Sequence, residues 1–227
     1  MFFSIAIPCY EMGGKGSEFL NFSLCKIESQ SFKDFEVIVS DHSSDDSIKK
    51  VCADWSDRID IKYFRNTEGV GSSSSNINNA IRNSNGEWIK ILFQDDFLYS
   101  ENSLLDIKDS LNDETFWVAT ACEHTNDGES FYRPFLPKWN DDIKYGINTI
   151  SSPSVITIKK DLGILFDSEF IWLMDTDWYY RIWIKYGEPE YIKKINVVNR
   201  TWSDSVSNTI SAFLKRSELE KIKKKYV

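Results

Sequence analysis

The sequence of 227 residues lacks the usual signals of a metal-stapled or disulfide-rich protein. Its four cysteines are widely spaced, and no two of them form a Cys-x-x-Cys motif. Its two histidines are too few to build a zinc triad. We therefore expect free buried thiols in a reducing compartment, and no structural zinc site.

Positive charge is also scarce. The chain carries 27 Lys and Arg residues against 35 Asp and Glu residues, which gives a net charge of −8 and a pI of about 4.9. A nucleic-acid-binding protein needs a basic stripe that displaces counterions, so we exclude nucleic acid as a partner. A ligand that carries phosphate is not excluded, because a bound metal ion can neutralise phosphate charge.

Long hydrophobic runs are missing as well. The apolar N-terminus, Met1–Ile7, lacks a basic start, and no stretch approaches the ~20 apolar residues of a membrane span. The sequence thus predicts no transmembrane segment and a cytoplasmic location. The basic stretch Lys221–Lys225 fits a solvated helix end, and weak contact with an anionic membrane surface is the alternative.

Short apolar runs and helical patterns alternate along the first hundred residues, and this rhythm predicts an α/β fold with a mostly parallel sheet between helices. Further strands and helices are expected after residue 112, where the pattern is looser. Asn126–Asn148 is interpreted as loops over the site. The predicted strands are Phe3–Pro8, Phe35–Ser40, Ile59–Phe64, Glu87–Phe93, Thr115–Cys122 and Val155–Lys159. The predicted helices are Ser17–Ser29, Asp45–Trp55, Asn76–Asn85, Asp175–Tyr186 and a last one from Ser211.

Polar side chains follow three of the predicted strands at the point where each strand ends. They are Tyr10 and Glu11, then Asp41, then the run Gln94–Asp96. Ligands of such sheets collect at the carboxyl ends of the strands, so we expect these residues to converge on one site.

The adjacent acids Asp95 and Asp96 follow an apolar strand directly. Two neighbouring carboxylates repel each other unless a cation is present, and Mg²⁺ or Mn²⁺ prefers such oxygen ligands and bridges to phosphates. A turn in which an Asp caps the next helix is the alternative. The dipeptide alone leaves both interpretations open.

The order and spacing of several blocks resemble family 2 of the glycosyltransferases, in a subgroup with Gln-Asp-Asp in place of Asp-x-Asp. The matching blocks are Ile5–Glu11, Val37–Ser47, Asn76–Ile81, Gly86–Asp96, Phe166–Asp167 with Trp172–Arg181, and Arg200–Ser207. The resemblance implies the GT-A fold, a Rossmann-like, mostly parallel central sheet flanked by helices. It implies one domain over residues 1–227, with a nucleotide-sugar-binding half at 1–105 and a less regular acceptor-side half at 106–227.

The resemblance also implies roles for individual residues. Asp41 would accept a hydrogen bond from the nucleotide base, with uridine preferred and thymidine or guanosine as alternatives, and Tyr10 would stack beside that base. Asp96, with Asp95, would hold Mn²⁺ or Mg²⁺. The complete set implied to bind the nucleotide-sugar is Pro8, Tyr10, Glu11, Asp41, Asn78 and Asp95.

Asp175 stands at the position of the family's catalytic base. The chemistry needs such a group, because an acceptor hydroxyl must lose its proton as it attacks the anomeric carbon. The alternatives are that Asp175 only caps its helix, or that Asp177 is the base. Trp172, Trp178 and Arg181 are expected to form an acceptor wall, since the two rings lie three residues on either side of Asp175.

The chain departs from the family pattern at several positions. Trp202 replaces a His that helps to hold the metal in many members, Glu11 replaces Asn, and Met174 replaces Glu. The loop Gly69–Ser75 lacks the frequent Arg. These differences bear on metal affinity and sugar-donor choice, and they leave the acid pair and Asp175 untouched.

The resemblance implies an inverting glycosyltransferase that moves a sugar, preferably from a UDP-sugar, to a glycan or lipid-linked acceptor in surface polysaccharide or glycan synthesis. Trp202 and Met174 motivate a first alternative, a degenerate, non-catalytic module that binds nucleotide-sugars or glycans. A sugar nucleotidyltransferase is the second, suggested by the Gly-rich stretch Gly13–Gly16, but it gives no role to the Asp41 turn or the Asp175 helix.

Overall fold

The computed structural model describes residues 1–227. Its nine strands are β1 Phe3–Cys9, β2 Phe35–Asp41, β3 Ile61–Arg65, β4 Trp88–Ile91, β5 Phe97–Leu98, β6 Trp117–Thr125, β7 Tyr132–Phe135, β8 Ile156–Lys159 and β9 Glu190–Arg200. Its α-helices are α1 Gly16–Glu28, α2 Ser47–Trp55, α3 Ser73–Asn83, α4 Ser103–Ser110, α5 Met174–Tyr186, α6 Val206–Thr209 and α7 Ala212–Tyr226.

All nine strands belong to one mixed sheet with the order β3-β2-β1-β4-β8-β6-β9-β5, and β7 pairs with β6 outside this path. The first four strands in this order are parallel, β8 is antiparallel to both neighbours, and β6 and β9 are parallel. The predicted α/β architecture, a central sheet flanked by helices, is confirmed. No helix combines the length and the apolar composition that a membrane crossing requires.

The sheet separates two hydrophobic cores. Along β1, Ile5 and Ile7 face the core formed with α1, α2 and α4, whereas Ala6 faces the core formed with α3, α5 and α7. This alternation follows from the two-residue period of a strand. Because helices cover both faces, every residue of β1 and of β2 is buried, which explains why apolar residues predominate in both.

Two details of α3 differ from the sequence expectation. The helix begins at Ser73 rather than Asn76, because the Ser72 hydroxyl accepts a hydrogen bond from the Ser75 N–H (3.2 Å) and caps the first turn. The helix also ends at Asn83 rather than Asn85, so it does not extend to Gly86. Gly86 is instead required by crowding, since a Cβ there would lie 2.5 Å from the backbone nitrogen of Ser4.

Several elements were not expected from the sequence, namely β5, β7, α4 and, most importantly, β9. Part of the segment 126–148, interpreted as loops, forms β7 and a 3-10 turn at Asp141–Tyr145. β9 runs parallel to β6, with register irregularities near Ala121, and ends at Arg200. It thereby brings a late part of the chain to the residues that follow β4.

Candidate active site

A cavity of about 320 Å³ opens at the carboxyl ends of β1 and β4. We call it the strand-end cavity. Its wall includes Pro8, Tyr10, Glu11 and Asp95, which the sequence analysis had brought together. The loop before α3 and the first residue of that helix, Ser73, complete the wall on one side.

A second cavity, of about 230 Å³, adjoins the first. It contains three carboxylates from distant parts of the chain, Asp95, Asp96 and Asp175, and we call it the carboxylate cavity. The two cavities share several wall residues, among them Tyr10 and Asp95, so a ligand in one lies directly beside the other. Trp172, Arg200 and Trp202 are among the other side chains that line the carboxylate cavity.

The carboxylates of Asp95 and Asp96 are held from β9 and the residues after it. The backbone N–H of Arg200 donates to Asp96 Oδ1 (2.9 Å), and the indole N–H of Trp202 donates to Asp95 Oδ2 (3.1 Å). The Ser152 hydroxyl reaches Asp96 Oδ2 at 3.4 Å. Burial raises the pKa of both acids, and the neighbouring charge of Asp95 raises the pKa of Asp96 further.

This acid pair fits a hard divalent cation that takes its other ligands from elsewhere. No group of three or more His, Cys, Asp or Glu side chains is arranged to hold a metal ion by protein ligands alone. Mg²⁺, however, is usually held by one or two carboxylates together with substrate phosphates and water. Two adjacent carboxylates, buried Asp96 and half-buried Asp95, whose mutual repulsion raises the pKa of Asp96, are suited to such a shared ion.

A lysine lies behind the acid pair, which the sequence analysis did not single out. Lys90, on β4, is fully buried, and its ammonium group donates to the carbonyl of Ser154. Burial lowers the pKa of Lys90 to about 7, and the charge of Asp96 acts in the opposite direction. A charged residue inside the apolar run of β4 was the sequence signal that could have identified it.

Asp175 lies in the first turn of α5 at the wall of the carboxylate cavity. Its Oδ1 accepts from the Thr176 N–H (2.7 Å), and its Oδ2 accepts from the Asn148 side-chain amide (2.6 Å). Burial raises the pKa of Asp175 to about 7, although these two hydrogen bonds favour the charged form. A carboxyl group with this pKa is well suited to exchange a proton near neutral pH.

Another acid satisfies the backbone at the start of α5. The carboxylate of Glu218, on α7, is buried and accepts from the backbone N–H groups of Ile171, Trp172 and Leu173 at 2.8–2.9 Å. Among backbone N–H groups, Asp175 accepts only from that of Thr176, the residue that follows it. Glu218 thus holds the segment that leads into α5 as far as the N-cap residue Leu173, while Asp175 accepts from one N–H of the first turn, so the helix-cap interpretation of Asp175 stays an alternative.

Of the three residues expected in the acceptor wall, only Trp172 lies there. Trp178 is 0% exposed, stacks on Phe166 with ring centroids 4.0 Å apart, and donates from its indole N–H to the carbonyl of Ile164. Arg181 forms an ion pair with Asp177 (2.8 Å) outside the cavity. The placement of Trp178 and Arg181 in the acceptor wall is thus corrected, because the helix turns both side chains elsewhere.

Asp177, the alternative base, is also in a structural position. Its side chain is fully buried and is shared by Arg181, by Lys225 at 2.7 Å, and by the Tyr226 hydroxyl at 2.5 Å. The carboxylate joins α5 to the end of α7 and does not line either cavity.

Tyr10 and Glu11 project from the end of β1. The Tyr10 side chain is 41% exposed, and its backbone N–H donates to the Gln94 side-chain carbonyl (2.9 Å). Gln94 also donates to the carbonyl of Gly16 (2.7 Å), so it clamps the β1 loop to the start of α1. The Glu11 carboxylate accepts from the backbone N–H and the hydroxyl of Ser44.

Asp41 and Asn78 are placed differently from the expectation. Asp41 is 0% exposed and lines neither cavity; its oxygens accept from Ser43 and from the Tyr63 hydroxyl (2.7 Å). Direct contact between Asp41 and a nucleotide base, which stays a prediction, requires this buried carboxylate to become accessible to the ligand. Asn78 exchanges two hydrogen bonds of 2.8 Å with the backbone of Phe166, so the structure does not bring it to the site.

Three comparisons relate this geometry to known proteins. Residues 4–183 match the family model described as glycosyl transferase family 2. Over 75 residues, the chain is 40% identical to GalNAc(5)-diNAcBac-PP-undecaprenol beta-1,3-glucosyltransferase from Campylobacter jejuni. That alignment covers 33% of this chain and 24% of the relative, so the chain spans only a minor part of the curated relative's length.

Solved structures show the same fold at low sequence identity. The S. aureus protein TarS (residues 1–349) superposes in complex with UDP at a TM-score of 0.70 and 16% identity, over 100% of this chain and 70% of that one. The mannosyltransferase PcManGT from Pyrobaculum calidifontis, in complex with GDP-Man and Mn²⁺, gives a TM-score of 0.62 and 17% identity, over 89% and 57% of the two chains. Since the family model covers most of its length, the chain belongs to glycosyl transferase family 2.

Proposed function

We propose that this chain transfers a sugar from a nucleoside diphosphate donor to an acceptor hydroxyl, with inversion at the anomeric carbon. One observation carries the proposal. Asp175 and the pair Asp95–Asp96, which are far apart in sequence, line a single cavity beside the strand-end cavity of Tyr10 and Glu11.

The nucleotide is assigned to the strand-end cavity. The half-exposed ring of Tyr10 provides a stacking surface there, and Pro8 and Glu11 form the adjoining wall. UDP-sugars are the preferred donors, with thymidine and guanosine nucleotides as alternatives. TarS has been solved with UDP and with UDP-GlcNAc, and PcManGT with GDP-Man, which supports this range of candidates.

The diphosphate is assigned to the boundary between the two cavities. Helix α3 begins there with Ser73 in both walls, and a helix N-terminus favours negative charge. Asp96, with Asp95, would hold Mn²⁺ or Mg²⁺ against the diphosphate oxygens. When bound there, such an ion would supply positive charge that screens the diphosphate and favours its departure as a leaving group.

Asp175 is assigned the role of general base. In its ionised form it takes the proton of the acceptor hydroxyl while that oxygen forms a bond to the anomeric carbon. The bond from this carbon to the diphosphate oxygen breaks, and nucleoside diphosphate leaves from the opposite face. The direct displacement inverts the anomeric centre, and the proton ends on Asp175. Trp172 offers an apolar face to the acceptor beside this base.

The acceptor is proposed to be a glycan or a lipid-linked saccharide in surface polysaccharide or glycan synthesis. The name of the Campylobacter jejuni relative describes transfer to an undecaprenol-linked saccharide, which supports this class. Lys223 and Lys224 leave the end of α7 basic and exposed. A cytoplasmic protein with weak peripheral contact at an anionic membrane surface fits this arrangement.

Two finer assignments are part of the proposal. We assign the chain to the subgroup with Gln-Asp-Asp, because Gln94 fixes the loop after β1 by two hydrogen bonds. We also divide the single domain into a nucleotide-sugar half at residues 1–105 and an acceptor half at 106–227. Asp175 comes from the second half and the acid pair from the first.

A non-catalytic binding module is the competing function, because the indole of Trp202 already occupies one oxygen of Asp95. The test is turnover. A panel of nucleotide-sugars with Mn²⁺ is first ranked by thermal shift, since ligands that bind the folded state raise its melting temperature. The best donor is then incubated with lipid-linked or glycan acceptors, and released nucleoside diphosphate is measured. Stabilisation by a donor without release under any of these conditions would favour the binding module.

A further inference from the structure

A short loop, residues 148–152, joins Asp175 to the acid pair. At one end the Asn148 side-chain amide donates to Asp175 Oδ2 (2.6 Å) and to the carbonyl of Ser151 (2.9 Å). At the other end the Ser152 hydroxyl lies between Asn199 Oδ1 (2.8 Å) and Asp96 Oδ2 (3.4 Å). The loop therefore contacts both groups of carboxylates that line the cavity.

The loop has a defined and strained conformation. Ser151 has a backbone φ of +93°, a value that residues other than glycine rarely adopt. The Asn148 side-chain carbonyl accepts from the backbone N–H groups of Ile150 and Ser151 (both 2.9 Å), and the Tyr179 hydroxyl donates to the Ser151 carbonyl. A strained residue such as Ser151 persists only where surrounding bonds hold it. The hydrogen bonds between the Asn148 side chain and the backbone of Ile150 and Ser151 hold this turn, and they also fix the position of the Asn148 amide.

We propose that Asn148 is a positioning residue that orients the carboxylate of Asp175 and keeps it available as a base. The proposal rests on the proposed function, in which Asp175 removes the acceptor proton. Asp175 Oδ1 is held by the Thr176 N–H and Oδ2 by Asn148, so these two bonds fix the rotation of the carboxylate. Asn148 is neutral at every pH, and its hydrogen bond favours the charged form of Asp175 against burial.

The other groups around Asp175 do not provide this help. Glu218, from α7, raises the pKa of Asp175 by its negative charge, and Tyr179 on the same helix offers no positive charge. Across the cavity lie Asp95 and Asp96, together with Arg200 from β9, whose guanidinium donates to the Asp95 carbonyl. Asn148 is thus the only side chain that donates a hydrogen bond to the Asp175 carboxylate.

The decisive variant is Asn148→Asp. It preserves the shape and the carbonyl-like oxygen that holds the turn, and it replaces the amide donor with an oxygen that repels Asp175. Asn148 is solvent-exposed, so the new charge does not threaten folding. We expect the acidic limb of the transfer rate to move upward by on the order of one pH unit, with about a tenfold loss at pH 6. The sugar donor's Kd stays within about twofold of wild type, since Asn148 lies outside the strand-end cavity.

The matched control is Ser151→Gly. It changes the same loop and removes its strain, but it leaves the contact between Asn148 and Asp175, so its pH profile should match wild type. A double-mutant cycle adds a second discrimination. Asn148→Asp should have no further effect on the rate in an Asp175→Asn background, whereas a general loss of loop structure would slow both backgrounds equally and overturn the proposal.

A readout independent of turnover separates this inference from the proposed function. In protein labelled with ¹³C-aspartate, the carboxyl signal lost in Asp175→Asn identifies Asp175, and its titration gives the pKa directly. We expect that pKa to rise in Asn148→Asp, and an unchanged pKa would overturn the positioning role. If instead Asp175→Asn retains wild-type transfer while the pKa does rise, the contact stands and the proposed base is wrong.

Discussion

Replacing Asp175 by Asn tests the role of this residue as a base, since the amide keeps the shape and can accept one of the two hydrogen bonds but cannot take a proton. Burial raises the pKa of Asp175 to about 7. If Asp175 is the base, wild-type transfer at saturating sugar donor should follow its ionised fraction. The rate should be level above pH 8, half of that near pH 7, and about a tenth at pH 6, because each pH unit below the pKa lowers the ionised fraction roughly tenfold.

The Asp175→Asn variant should lose this dependence together with the rate. Base catalysis typically contributes ~10²–10⁴ in rate, so we expect a loss of that size at pH 8 and a progressively smaller ratio of wild-type to variant rates as pH falls. Sugar-donor binding should be nearly unchanged, because Asp175 lies outside the strand-end cavity. Release of nucleoside diphosphate measures the rate, and calorimetry measures the Kd.

The same substitution makes a prediction about stability. The folded-state pKa of Asp175, about 7, lies above its ordinary value of 3.8, so the folded protein favours the protonated form. The resulting destabilisation is absent below about pH 4, grows as pH rises, and is complete above about pH 7. Asp175→Asn should therefore raise the Tm at pH 8 and change it little at pH 4. Asp113→Asn, at an exposed loop position, is the control that should leave rate and Tm unchanged.

Two results would refute this reasoning. Near-normal transfer by Asp175→Asn at pH 8 would show that another group removes the proton of the acceptor hydroxyl. A lower Tm for the variant at pH 8 would show that the ionised carboxylate stabilises the start of α5, as in the helix-cap interpretation, in spite of the contacts that Glu218 makes there.

Three further predictions follow from the site. Asp96→Asn should abolish Mn²⁺-dependent binding of the sugar donor, because it removes a carboxylate that a shared ion requires; calorimetry with and without Mn²⁺ measures this, and wild-type binding would disprove the metal assignment. Asp41→Ala should weaken nucleotide binding, since Asp41 either contacts the base or holds the turn at Ser43; an unchanged Kd would remove it from the site. Glu218→Ala should lower the free energy of unfolding by about 2–4 kcal/mol in urea denaturation, because three backbone N–H groups lose a charged acceptor; a loss under about 1 kcal/mol would show that water replaces it.

Much of the first half of the fold was predictable because β1, β2 and β4 are buried along their whole length and consist mostly of apolar residues. β1 and β2 are the clearest cases, and the polar residues that follow such strands lie at one sheet edge by geometry alone. β9 was not predicted, because Lys193 and Lys194 interrupt its apolar pattern and its pairing with β6 is irregular. Its importance comes from pairing over a long sequence separation, which local patterns do not encode.

The sequence also did not predict the direction in which individual side chains point. Trp178 was assigned to the acceptor wall by its spacing from Asp175, and Asn78 to the nucleotide-sugar site by its place in a matching block. Each side chain instead packs against or hydrogen-bonds Phe166. Similarly, the sequence around Asp175 gave no indication that Glu218, 43 residues later in the chain, would accept hydrogen bonds from the backbone N–H groups just before α5. Such roles depend on contacts between distant segments.

Trp202, which stands where the sequence resemblance implies a His, has a definite physical consequence for the acid pair. An imidazole can ligate a metal ion, whereas an indole can only donate one hydrogen bond, and here it donates to Asp95 Oδ2. The indole is also fixed edge-on against Phe19, with ring centroids 5.6 Å apart. Trp202 thus orients Asp95 without adding a ligand or a charge. In the mechanism proposed above, the affinity for a divalent ion must then depend more strongly on the diphosphate of the sugar donor, because the protein contributes only carboxylate oxygens.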